Sequence, residues 1–79
     1  MIDVEGEIAE LLRQRNPRAP LRPDLPLGSA GLGLDSIAVV EVLLAVEERF
    51  GVALAAEMLA SETITVGALT ERVRSLTGR

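Results

Sequence analysis

Residues 31–44, GLGLDSIAVVEVLL, decide how this chain folds, because they contain the start of its most apolar segment. Before Asp35 two glycines interrupt any regular pattern, whereas from Ser36 onwards apolar residues recur at helical spacing. The spacing predicts a helix from about Ser36 to Phe50, and Gly51 supplies its C-terminal stop. At about 100° per residue, the apolar residues of this helix fall on two separate faces.

The two faces of this helix differ in what surrounds them. The first is expected to pack in the core and carries Val39, Val42, Leu43, Val46 and Phe50. The second carries Ile37, Val40 and Leu44, and it is flanked by Glu41, Glu47 and Glu48. Such a face can be buried beneath another helix, or it can be an exposed surface for a basic partner. The pattern alone allows both interpretations.

Helical periodicity also predicts elements on both sides of this segment. The first helix has Asp3 as its cap, ends at Asn16-Pro17, and carries Val4, Ile8, Leu11 and Leu12 on one face. The last helix has Thr65 as its cap and Gly78 beyond its end, with Val66, Leu69, Val73 and Leu76 on one face. A short helix is predicted at about residues 55–60, so the fold class is all-α with three longer helices and one short helix.

A long loop is predicted between the first and second helices. Four prolines recur there every three residues, at positions 17, 20, 23 and 26, which suits extended chain. Five leucines of the loop are expected to cap the bundle: Leu21, Leu25, Leu27, Leu32 and Leu34. The P-x-x-P spacing beside arginines is also found in ligands of aromatic grooves, but a packed loop is the favoured interpretation.

Length and composition limit the classes of protein that are possible. With 79 residues, of which 48% are hydrophobic and 25% charged, the chain is predicted to form a single globular domain over residues 1–79. The net charge of −4, with arginine as the only base, argues against nucleic-acid binding. No apolar run is long enough to span a membrane, and the N-terminus lacks the basic segment of a signal peptide, so we expect a soluble, cytoplasmic protein.

The residue types exclude several kinds of site. Without cysteine or histidine, the chain has no disulfide, no thiolate and no ordinary zinc or catalytic-triad site, so we predict no metal and no catalytic residue. A dinucleotide fingerprint is not supported, because Ser36 stands where a third glycine is required after Gly31 and Gly33. Serine is a favoured helix cap, and Ser36 can be that cap, a modified residue, or both. If it reacts, another protein must activate it.

Three motifs together resemble the acyl carrier protein family over most of the chain. They are GLDSI at residues 33–37, EERFGV at 47–52 and ASETITVGAL at 60–69, where Thr63–Val66 lead into the last helix. The resemblance implies a four-helix bundle in which Ser36 carries a 4′-phosphopantetheine arm. A separate phosphopantetheinyl transferase would attach the arm from coenzyme A, and its thiol would hold acyl groups as thioesters. The protein itself would supply attachment and recognition rather than catalysis.

The resemblance also implies a recognition face for partner enzymes along the second helix. Its residues here are Asp35, Ile37, Val40, Glu41, Leu44, Glu47 and Glu48. The implied partners, besides the transferase, are acyl-loading and acyl-processing enzymes such as a ligase, an acyltransferase or a ketosynthase, and they would be served by a monomeric carrier.

The chain departs from fatty-acid carriers at several positions. Ala38 stands where those carriers usually have an acidic residue, Arg49 interrupts the acidic run, and the third helix has only Glu57. We therefore predict a discrete bacterial carrier for polyketide or related natural-product biosynthesis. An aminoacyl or peptidyl carrier is the alternative, although Leu34-Asp35 replaces its usual G-G-x-S pattern. An alternative of a different class is an unmodified helical interaction module, in which Ser36 would be only a cap.

Overall fold

A computed structural model describes residues 3–60 and 64–78, and it confirms the predicted all-α architecture. The helices are α1 (Val4–Arg15), α2 (Ser36–Phe50), α3 (Ala55–Leu59) and α4 (Val66–Thr77). Helix α1 packs against both α2 and α4, and α3 packs against α2. None of the helices in the described ranges is long and apolar enough to cross a membrane.

Local capping interactions fix the predicted helix ends. The Asp3 carboxylate accepts the Gly6 N–H at 2.8 Å, and the Thr65 hydroxyl accepts the Ala68 N–H at 3.1 Å. Helix α2 ends at Gly51, whose φ of 68° lies in the left-handed region that favours glycine. The Asp3, Thr65 and Gly51 predictions are thus confirmed. Of the predicted entry into α4, Thr63 lies outside the described residues.

The core lies where α1, α2 and α4 meet. Its fully buried side chains include Ile8, Leu12, Leu43, Val46, Leu69 and Val73. Of the predicted core stripe of α2, Val39 and Phe50 are only half-buried. Leu76, which the helical spacing placed on the apolar face of the last helix, is 40% exposed. On a helical wheel, the buried residues of α4 occupy an arc bounded by Leu69 and Thr70. Leu76 lies at the Leu69 edge of this arc, in the last turn of the helix.

The long loop packs against the bundle as predicted. Leu27 and Leu32 are buried, and the other three loop leucines are half-buried against the core. Backbone hydrogen bonds join the loop to α4, where the Val66 N–H donates to the Leu25 carbonyl at 2.9 Å and the Gly67 N–H donates to the Pro23 carbonyl at 2.8 Å. These bonds hold the loop against the start of α4 before the chain continues into α2.

Candidate functional site

Ser36 is the first residue of α2 and its side chain is exposed. The cap is the preceding residue, Asp35, whose backbone is extended and whose carboxylate accepts the Ala38 N–H at 2.7 Å. The interpretation of Ser36 as the helix cap is therefore wrong, because Asp35 already satisfies that amide. Within the described residues the Ser36 hydroxyl has no hydrogen-bond partner, which leaves it open to another protein.

The loop before Ser36 is fixed by close backbone contacts. The Leu32 N–H donates to the Pro26 carbonyl at 2.9 Å, and the Leu34 N–H donates to the Leu27 carbonyl at 3.2 Å. Gly31 lies so close to Pro26 that a Cβ there would come within 2.2 Å of the Pro26 carbonyl oxygen. These contacts place the start of α2, and with it Ser36, at a defined position on the surface.

The electrostatics at the start of α2 suit a phosphodiester. The amides of Ser36 and Ile37 have no hydrogen-bond partner among residues 3–60 and 64–78, as is usual for the first turn of a helix. Unpaired amides and the positive end of the helix dipole favour an anionic group at this position. The exposed hydroxyl and the open amides therefore fit a phosphate-linked arm.

The second apolar face of α2 is largely exposed beside Ser36. Ile37 is 71% exposed and Leu44 is 51% exposed, whereas Val40 is half-buried. Burial of this whole face beneath the third helix, one of the two interpretations that the pattern allowed, is therefore wrong. Helix α3 has only five residues and cannot cover a face that extends over two turns of α2.

The three glutamates that flank this face are in different environments. Glu41 is exposed and its Oε1 lies 3.0 Å from Nη1 of Arg15. Glu47 accepts two backbone hydrogen bonds. Glu48 is exposed and has no partner among the described residues. The glutamates predicted as one recognition group thus differ in how much negative charge each can offer.

Glu47 joins the end of α2 to the start of α3. Its Oε2 accepts the Leu54 N–H at 2.7 Å and the Ala55 N–H at 2.8 Å. Leu54 occupies the N-cap position of α3 and provides no side-chain acceptor of its own. The hydrogen bonds from Ala55 and Leu54 lower the pKa of the Glu47 carboxyl, because they stabilise its ionised form.

This structural role of Glu47 was not predicted from the sequence. The signal was present in residues 52–59, VALAAEML, which lead into α3 and form it, because this stretch contains no serine, threonine, aspartate or asparagine that could cap the helix. A helix without a local cap needs an acceptor from elsewhere, and the closing turn of α2 is the nearest preceding element.

The Glu47→Gln variant is expected to be less stable than the wild type near neutral pH, with the difference shrinking in acid. A carboxyl whose pKa is lowered by folding stabilises the protein above its unfolded pKa, and this contribution is lost as pH falls through the folded pKa. Denaturant unfolding at about pH 7 and about pH 3 measures the difference. Glu48→Gln, which removes an unpartnered carboxylate, is the matched control. The same pH response in both variants would contradict a specific role of Glu47.

The fold and the exposed serine define a small helical protein that presents a modifiable hydroxyl at a helix start. Comparison with protein families matches the model for the phosphopantetheine attachment site over residues 3–73. The chain therefore belongs to the phosphopantetheine-attachment family of carrier domains. Such domains are non-catalytic carriers with a covalently bound 4′-phosphopantetheine group, which favours this class over an unmodified helical module. No match was found among curated proteins or among solved structures.

Proposed function

We propose that the protein is an acyl carrier in which Ser36 holds the 4′-phosphopantetheine arm. The observation that carries the proposal is the exposed Ser36 hydroxyl, which stands at the first position of α2 while Asp35 caps the helix. The arm supplies a thiol, which holds acyl groups as thioesters, in a chain that has no cysteine of its own. The chain's own residues position the attachment point and present α2 to visiting enzymes.

Attachment of the arm needs a separate phosphopantetheinyl transferase. A bond forms between Ser36 Oγ and the phosphorus next to the pantetheine, the pyrophosphate bond of coenzyme A breaks, and the adenosine bisphosphate leaves. The hydroxyl proton must pass to a base, and no described side chain makes a hydrogen bond with Ser36. The Asp35 carboxylate is engaged with the Ala38 amide. The transferase therefore supplies the base.

Three features support a role in polyketide or related natural-product biosynthesis rather than in bulk fatty-acid synthesis. Ala38 gives the first turn of α2 no acidic residue, Arg49 follows the glutamate pair, and Glu57 is the only acid within α3. Leu34 stands where the G-G-x-S pattern of aminoacyl and peptidyl carriers has its second glycine, which supports an acyl carrier. Partner ligases, acyltransferases or ketosynthases belong to this proposal, as do the monomeric state and the cytoplasmic location.

Intact-mass measurement tests the proposal directly. Incubation with a broad-specificity phosphopantetheinyl transferase and coenzyme A is expected to add the mass of one arm, and peptide mapping is expected to place it on Ser36. No gain of mass, or attachment at another residue, would contradict the proposal. The thioester carried by protein isolated from its host then separates the two carrier types, since an acyl carrier holds a group without an α-amine.

A further inference from the structure

Arg15, the last residue of α1, lies beside the exposed face of α2. Its Nη1 is 3.0 Å from Oε1 of Glu41, and the two side chains remain 38% and 53% exposed. The two residues are 26 positions apart in the chain, so the packing of α1 against α2 brings them together. The pair therefore places a positive charge from another helix next to one acid of the α2 face.

The exposed face of α2 alternates apolar and acidic side chains. Ile37, Glu41, Leu44 and Glu48 follow one another at spacings of four, three and four residues, which places them in one row. Only two of the four carry charge. Since Arg15 is paired with Glu41, Glu48 is the acid of this row without a cation partner among the described residues.

The effect of Arg15 on Glu41 does not require a strong ion pair. Exposed pairs contribute little to stability, but two opposite charges a few ångströms apart are much closer than the Debye length of about 8–10 Å. A partner approaching from solvent therefore meets a nearly neutral pair at position 41. Arg49 does not act in the same way at Glu48, because its guanidinium lies 3.6 Å from Glu7 of α1.

We propose that Arg15 is a specificity-determining residue for partner enzymes, because it neutralises Glu41. The face then fits a partner that covers Ile37 and Leu44 with an apolar surface and places one cation near Glu48. A partner that must place a cation beside Glu41 is disfavoured, because Arg15 repels that cation. This inference rests on the proposed function, in which visiting enzymes contact α2 next to Ser36.

Rates of arm attachment test the role of Arg15, with coenzyme A and the transferase as the probe. At low salt, Arg15→Gln is expected to raise kcat/KM by about threefold, because Glu41 becomes available to steer a basic partner. Glu41→Gln alone is expected to lower kcat/KM by about threefold, because it leaves the positive charge of Arg15 unpaired, and the double variant is expected to return to the wild-type rate. Added salt is expected to abolish the gain.

Arg18→Gln is the matched control for the change in net charge. Arg18 is exposed and its side chain has no ion pair among the described residues, so this variant removes the same charge three residues away. Equal rates for Arg15→Gln and Arg18→Gln would overturn the inference, as would a persistent gain in the double variant. If the arm is attached but the rates follow either of these patterns, only the role of Arg15 is contradicted. If the wild type gains no arm, the proposed function is contradicted as well.

Discussion

The Ser36→Ala variant is expected to gain no phosphopantetheine arm while keeping the wild-type fold. The substitution removes the hydroxyl oxygen to which the arm would be bonded. It leaves the Asp35 cap in place, and alanine is the residue that helices favour most. The unfolding free energy is therefore expected to change by less than about 0.5 kcal/mol. Intact mass after incubation with transferase and coenzyme A measures attachment, and denaturant unfolding measures stability.

Asp35→Ala separates capping from attachment at this helix start. Loss of an N-cap is expected to cost about 0.5–2 kcal/mol. The Ser36 hydroxyl remains and still accepts the arm, although loss of Asp35, a predicted recognition residue, is expected to slow attachment. The two variants should thus have opposite phenotypes. A Ser36→Ala protein that gains the mass of the arm would contradict the assignment, and one that unfolds would show that Ser36 has a structural role.

Leu43→Ala is expected to destabilise the protein far more than Leu44→Ala. Leu43 is 0% exposed, and truncating a fully buried leucine costs about 2–5 kcal/mol because it leaves a cavity. This loss is a large fraction of the roughly 5–15 kcal/mol by which domains are stable. Leu44 is 51% exposed, so its truncation removes less buried area and is expected to cost about 1 kcal/mol or less.

Leu44→Ala is expected to impair arm attachment more than Leu43→Ala does, which is the reverse of their order in stability. Leu44 lies in the exposed row of α2 that we propose partners contact, and its loss should slow attachment more than the loss of Leu43 does. Denaturant unfolding and a loading assay, run below the unfolding transition of both variants, measure the two effects. Equal destabilisation, with no loading defect specific to Leu44→Ala, would place Leu44 in the core and leave recognition to the acidic residues.

Much of the fold could be predicted because its signals are local. Periodicity and capping residues gave α1, α2 and α4, and Gly51 marked the end of α2, since these interactions join residues three or four apart. Local signals could not decide which of two neighbouring residues caps a helix when both are suitable. Asp35 and Ser36 are both suitable caps, and Asp35 is the cap because its backbone is extended at the end of the packed loop.

The candidate site depended on the sequence and on packing in different ways. The Asp35-Ser36 pair at the start of a helix could be identified from the chain itself, but the exposure of Leu44 could not. Two apolar faces on one helix are compatible with burial on both sides, and exposure was decided by the small size of α3 and its position. Leu76 is a similar case, because helical spacing placed it on the apolar face of α4, and only the structure shows that 40% of it is exposed where the core-facing arc ends.

The sequence by itself determined the helical class and the boundaries of the helices, because each depends on residue types within one or two turns. Ser36 became the candidate attachment residue through the resemblance of three motifs spread over the chain. Only the tertiary structure decided the charge of the α2 face. Arg15 reaches Glu41 across 26 residues, and the Glu47 carboxylate reaches the amides that begin α3. These contacts follow from how the loop and the turn fold the chain back on itself, and a charge pattern read along one helix does not contain the groups that other helices bring beside it.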